Sequence, residues 1–252
     1  MDVPMFVLLG SAVFGASCLQ SATGIGYGVI AGPIFLVVLN GIEAFQISTI
    51  HNFCIALILL PMFWGQINRK LLCGLVVGSF GGIPFGFYLQ TTVDIILLKI
   101  AASLMVGFVT VVLIWDIRMT ATPWSGVTKK TPFENIGVGS LSGLMGGMLA
   151  MPGPLAATWM SIRGVSKREV RATVLAFFIF AYGANIMLYA SAIGFSAGVL
   201  SLSLWLIPPL VLGIVVGNGL SNRYSEQTFR YMLLLILILT MVLLVADWGR
   251  SL

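Results

Sequence analysis

Gln20-Ser-Ala-Thr-Gly24-Ile-Gly26-Tyr-Gly28 interrupts an apolar run that otherwise reads as helix, and the interruption recurs as Ser140-Leu-Ser-Gly143-Leu-Met-Gly146-Gly147. Set 119 positions apart, the two copies superpose Gly24 on Gly143, Gly28 on Gly147 and Pro33 on Pro152. In water such stretches would be loops. In lipid a broken backbone has to be buried in protein or line a wet cavity, because unsatisfied N–H and C=O groups are costly there. The two breaks are therefore the expected binding region.

Composition supplies the membrane that this reading needs. Hydrophobic residues make up 59% of the chain and charged residues 8%, with a mean hydropathy of +1.06. Several apolar runs exceed the roughly 18 residues that mark a spanning helix. A net charge of +5 does not point to nucleic acid, since the basic residues sit in short loops and at helix ends, where membrane orientation places them. Cys18, Cys54 and Cys73 lie in apolar segments without metal-ligand spacing and read as packing residues. Met1 to Gly10 holds Asp2 and no basic residue, so a cleaved signal peptide is not expected. No cofactor is expected, because the chain has no phosphate-binding loop, metal cluster or haem ligand pair. A hydrolase needs a nucleophile beside a base, yet Gly139-Ser-Leu-Ser142-Gly143 fits no nucleophile motif and the single histidine, His51, sits in the opposite half. The protein does not read as an enzyme.

Eight apolar blocks follow one another, at 5–39, 43–65, 71–90, 94–117, 133–164, 168–194, 203–222 and 227–248. The first four recur as the last four. Thr49 matches Thr173, Gly82 and Gly86 match Gly213 and Gly217, Lys99 matches Arg230, and Asp116 matches Asp247. This divides the chain into repeats at 1–118 and 133–252, joined by a polar linker at 119–132. The opening block of each repeat is too long for one crossing, since 35 helical residues extend about 52 Å against a hydrocarbon core of about 30 Å. It is either a tilted span with a tail or a re-entrant hairpin of two short helices. Charge separates the two: single spans divide the 13 basic residues almost evenly between the faces, whereas hairpins put all but Lys99 and Arg250 on one face. The expected fold is an all-α polytopic membrane protein of two inverted repeats, each a broken helical hairpin plus three transmembrane helices. Both termini are expected outside and the linker in the cytoplasm. Trp64, Trp115, Trp205 and Trp248 are expected at interfaces, and the four-residue spacing of Gly82/Gly86 and Gly213/Gly217 at close helix contacts.

The glycine cluster followed by proline in both halves, the basic segment Arg163-Gly-Val-Ser-Lys-Arg-Glu-Val-Arg-Ala-Thr173 and the closing Gly213-x-x-x-Gly217 block resemble the sulfite exporter TauE/SafE family over essentially the whole chain. That resemblance implies transport of small organosulfur anions, such as sulfite, sulfonates or sulfoacetate, across the bacterial inner membrane. Two departures bear on pocket shape: Met151-Pro-Gly-Pro154 carries a second proline, and Tyr27 interrupts the first glycine run.

A tetrahedral anion in a low-dielectric setting needs N–H donors and positive potential. The helices after the two breaks offer both at their N-termini, worth about half an elementary charge each, and Gly24, Gly26, Gly28, Gly143, Gly146 and Gly147 permit close approach of backbone. Close helix packing is the competing use of these glycines. Gln20, Thr23, Ser140 and Ser142 flank the breaks and serve either the ligand or the freed backbone. Thr49, His51 and Asn52 form the most polar patch in a first-half span. His51 reads either as a neutral imidazole on a backbone carbonyl or as a proton-linked group, its ordinary pKa lying near physiological pH. Thr173 is the mate of Thr49. Arg171, one turn inside its helix, reads as an inside-positive anchor or as a contact for an anion at the cytoplasmic side. Asn185, with Tyr182 and Tyr189, either lines the path or packs.

The expected activity is secondary transport by alternating access, the anion held at the glycine tips near the midplane. The expected partners are a small sulfur oxyanion, the lipid bilayer and, in one variant, protons through His51; a uniporter driven by the membrane potential needs none. An anion channel, or a carrier of a different small anion, shares the same features.

Overall fold

The computed structural model describes residues 3–24, 26–118, 132–221, 234–243 and 246. Among them all regular structure is helical, in the order α1 (Val3–Thr23), α2 (Tyr27–Leu39), α3 (Glu43–Leu59) with a 3-10 extension (Leu60–Gln66), α4 (Arg69–Thr92), α5 (Ile95–Arg118), α6 (Pro132–Leu149), α7 (Gly153–Ile162), α8 (Lys167–Ala192), α9 (Ala197–Trp205), α10 (Ile207–Ser221) and α11 (Leu234–Leu243). Six described helical stretches are long and apolar enough to cross a membrane. The linker at 119–131, Arg223, Arg230, Asp247, Trp248 and Arg250 lie outside the described residues.

Local chemistry sets several boundaries. Asn68 accepts from Leu71 N at 3.1 Å to start α4, Ser166 caps α8 and Ser196 caps α9, each offering a side-chain oxygen to an otherwise orphaned N–H. Pro208 and Pro209 sit in the first turn of α10, where a missing N–H costs least, and α9 ends just before them. The last of these corrects an expectation. The candidate span begins at Ala197 and not at 203, so Trp205 lies well inside it and not at its end.

Polarity is distributed as lipid requires. Gln20, Ser48, Thr49, His51, Asn52, Thr173 and Asn185 are buried, whereas Phe80, Leu104, Leu204, Met187 and Leu235 are exposed on the outside. A soluble fold would do the opposite.

Each opening block bends back as two helices that pack together, α1 on α2 and α6 on α7. Their arms are unequal. The return arms of 13 and 10 residues extend about 20 and 15 Å, half a hydrocarbon core. The first arms have 21 and 18 residues, about 32 and 27 Å, so the expectation of two short helices holds for the return arms only.

The break of the second block also falls later than its glycines indicate. Helix α6 runs through Gly143, Gly146 and Gly147 to Leu149, and the chain turns at Ala150. The first turn has positive φ at Gly24 (88°) and Gly26 (142°) and the second at Ala150 (56°), so the points where the two long arms end, Gly24 and Ala150, are 126 positions apart. Pro152 therefore stands at the N-cap of α7, while Pro33 lies within α2, and the two are not equivalent.

The aligned glycines of the second copy, Gly143 and Gly147, pack helices. Helix α4 lies along α6, and α10 lies along α1. A Cβ on Gly143 would sit 2.8 Å from the Ser79 Cα, one on Gly82 would overlap the Ser140 carbonyl, and one on Gly217 would overlap the Cys18 carbonyl. Gly82, Gly86, Gly213 and Gly217 thus make the close contacts expected of their spacing.

Candidate site at the hairpin tips

The turns of the two hairpins meet. A Cβ on Gly28 would lie 2.9 Å from the Ala150 carbonyl oxygen and 3.4 Å from the Asn52 Nδ2, so the backbone of one tip rests directly on the other. Between them is a small cavity lined by Gln20, Gly26, Gly28, Asn52, Gly153 and Tyr182, closed by the apolar side chains of Val29, Met151, Pro154 and Phe178.

The first turns of both return helices face this cavity. By position, the N–H groups of residues 27 to 29 and of 153 and 155 have no acceptor within their helices, Pro154 having no N–H to offer. Gln20 Oε1 takes the Tyr27 N–H at 2.7 Å, and the Gln20 amide nitrogen points to Asn52 Oδ1 at 3.4 Å. Asn52 in turn donates to the Ser48 carbonyl at 3.0 Å. The free donors of α2 and α7 and two side-chain amides therefore converge, and the lining contains no carboxylate. Positive helix ends with N–H donors suit a small oxyanion.

The C-terminal ends of the long arms, which form the same tips, have their carbonyls covered by side chains. The last carbonyls of α6 accept from Asn185 (Gly146 oxygen, 2.8 Å), Gln90 (Met148 oxygen, 2.9 Å) and Tyr182 (Ala150 oxygen, 3.1 Å). Tyr189 donates to Gln90 at 2.6 Å and holds that amide in place. At the end of α1 the carbonyl of Ser21 accepts from the Arg171 guanidinium.

His51 stands beside the cavity with both nitrogens engaged: Nδ1 lies 2.6 Å from the Tyr27 hydroxyl and Nε2 lies 3.1 Å from the Ser203 carbonyl. A carbonyl only accepts, so Nε2 carries the proton, and a hydroxyl donating to Nδ1 completes a neutral imidazole. The ring packs edge-on to Tyr27.

Of the candidate residues named from sequence, Gln20, Gly26, Gly28 and Asn52 line the cavity. Gly24 supplies the turn. The others are elsewhere. Thr23 bonds the Leu19 carbonyl of its own helix, and Thr49 is buried on α3. Ser142 is buried on α6 two turns before the break, while Gly143 and Gly147 press on α4. Gly146 gives its carbonyl to Asn185. Thr173 accepts from the Asn68 N–H at 3.0 Å at the start of α4, and Arg171 reaches the first tip but not the cavity lining. Residues that the sequence reading missed are Val29, Met151, Gly153, Pro154 and Phe178. The Pro152-Gly153-Pro154 triplet was the usable signal, because proline at a first helical turn marks a start.

A second, larger groove of about 700 Å³ opens between Phe6, Leu39, Glu43, Ile47, Val199 and Trp205. Its wall is mainly apolar and its one charged group is a carboxylate, which does not suit an anion.

A buried polar core inside an apolar exterior, with broken helices meeting head to head, defines a multi-pass membrane protein. The family model described as sulfite exporter TauE/SafE matches residues 9–244, so the chain belongs to the TauE/SafE family. Members of this family are membrane transporters and not enzymes, and membership implies transport of sulfite or a related sulfur anion. Neither a curated protein nor a solved structure matches the chain.

Proposed function

We propose that the protein carries a small sulfur oxyanion across the inner membrane by alternating access, and that the anion binds in the cavity between the hairpin tips. One observation supports this above the others: the N-terminal turns of α2 and α7, with the amides of Gln20 and Asn52, converge on one space that contains no negative group. The N–H groups of residues 28, 29 and 153, on lining residues and without an acceptor in their own helices, replace the anion's hydration shell, and the Tyr182 hydroxyl stands at its edge.

The cavity measures about 10 Å³, room for about one water. An anion of four heavy atoms requires the tips to part. Separation toward either face, each time with the other face sealed, is the alternating step. Inverted repeats give it a geometric basis, with the cytoplasmic linker and outer termini read from the charge distribution. The reciprocal packing of α4 on α6 and of α10 on α1 agrees with such a symmetry.

Proton coupling through His51 is not part of this reading, because both its nitrogens are held in the neutral form. Export down the membrane potential needs no further ion. The test is counterflow in proteoliposomes with sulfite, thiosulfate and short sulfonates against chloride and acetate. Saturable exchange of a sulfur oxyanion is expected. Non-saturating flux would mean a channel, and exchange of acetate or chloride alone would move the substrate to another class.

A further inference from the structure

Arg171 is a cation that reaches a hairpin tip, and its contacts are unusual for a membrane-surface anchor. Helix α8 begins at Lys167, yet the Arg171 side chain extends to the first tip, where it donates to the Ser21 carbonyl at the end of α1. Its methylene groups press on Gly24, where a Cβ would overlap them, so only glycine leaves room for this arginine. The guanidinium carbon lies 4.2 Å above the centre of the Phe63 ring. The Nε is buried and has no hydrogen-bond partner. An arginine whose planar fork is half used in a half-buried site keeps one donor ready for an oxygen ligand, and two adjacent donors match an oxyanion far better than a single carbonyl.

The partial negative charge at the end of α1 is thus covered by a full positive one, held by an aromatic face. The second tip differs: its carbonyls are capped by the neutral groups of Asn185, Gln90 and Tyr182. The position on α3 that corresponds to Arg171 by the Thr49–Thr173 match is Ile47, which lines the open apolar groove. Of this matched pair of positions, only the second-half one carries a charge.

We infer that Arg171 is a displaceable latch: it seals the tip cavity on the face from which α8 enters, cytoplasmic in the proposed orientation, and releases Ser21 when its fork turns to a sulfur oxyanion passing that side. This rests on the tip cavity being the transport site. The latch makes opening of that face conditional on the anion, because leaving Ser21 without a new partner would strand a half-buried cation whose Nε is already unpaired.

The test reads accessibility and flux separately. Cys18, Cys54 and Cys73 are replaced by alanine, Met151 in the cavity lining is changed to Cys, and labelling by a charged thiol reagent is followed in inside-out and right-side-out vesicles. Arg171→Gln is expected to raise labelling from the α8 face at least tenfold without change from the other face, and Arg171→Lys to raise it less. Sulfite counterflow by Arg171→Gln is expected to fall at least tenfold, while sulfite still protects the cysteine. Unchanged labelling from both faces would overturn the latch, whatever the flux. Loss of sulfite protection in Arg171→Gln, with the fold intact by gel filtration, would also overturn it and make Arg171 part of the binding cavity. Wild-type protein that exchanges no sulfur anion but still gains α8-face labelling in Arg171→Gln would remove the substrate reading and leave a latch on the cavity.

Discussion

Gly28 and Ala150, from hairpins more than a hundred residues apart in sequence, touch through backbone: the space where a Cβ on Gly28 would stand is 2.9 Å from the Ala150 oxygen. Gly28→Val is therefore expected to push the tips apart while the helices still pack elsewhere. Counterflow of sulfite should drop at least tenfold with a gel-filtration profile like that of the parent. Normal sulfite exchange by this variant would place the binding site elsewhere.

Adjacent glycines on α4 provide an internal control for the helix seam. A Cβ on Gly82 meets the backbone of Ser140 and Leu144, whereas one on Gly81 meets nothing within 4 Å. Gly82→Leu is expected to overpack the α4–α6 contact at a cost of at least about 1–3 kcal/mol, read as a fall in melting temperature and a loss of monodisperse yield. Gly81→Leu should be close to neutral. Equal behaviour of the two would contradict the seam.

His51 and Tyr27 are expected to be coupled. Removing either partner leaves a buried polar group unpaired, at about 1–3 kcal/mol, so Tyr27→Phe and His51→Gln should be less than additive when combined, by about 0.5 kcal/mol or more. The pH profile of sulfite flux should be the same in parent and His51→Gln, because the imidazole stays neutral throughout. A profile that loses an inflection on substitution would restore a proton-linked role.

Asn68 serves three partners at the start of α4: its side chain accepts from Leu71 N and donates to Glu169 Oε1 at 2.6 Å, and its N–H meets Thr173. Asn68→Ala is expected to cost about 0.5–2 kcal/mol through the lost cap alone. Glu169→Gln keeps an acceptor for the same amide and should cost clearly less, which thermal melts in detergent would resolve.

The chain's all-helical class and the region of its candidate site were legible because lipid punishes irregular backbone wherever it is not buried, so the glycine stretches stood out. The register was not. Gly143 and Gly147 resemble Gly24 and Gly28 in spacing, but small residues serve both a broken tip and a close helix seam, and spacing alone does not separate those uses. The true turn at Ala150 is left-handed without a glycine, so its one local mark was the Pro152-Gly153-Pro154 triplet that starts the next helix. His51 and Asn52 were found as polar residues in an apolar span. Met151 and Phe178 were not, because an apolar cavity wall looks like any other core position. Gln90 escaped notice because it lies near a helix end, where a glutamine is ordinary until its partner, a carbonyl on α6, is known.

The seam between α1 and α10 also has a consequence for how the protein is made. Ser21 donates to the Ile214 carbonyl at 2.8 Å, a contact spanning 193 positions, and Gly213 and Gly217 rest on α1 from Phe14 to Cys18. Helix α1 has its main partner in α10, so once made it waits through the synthesis of α2 to α9 before it can dock. Until then its Ser17 and Ser21 face must be shielded by lipid, an insertase or a provisional neighbour, and long-range closure of this kind is slow. Assembly is therefore the stage at which truncation or delayed translation of the last quarter of the chain does the most damage, leaving an N-terminal helix that has inserted but has no place to go.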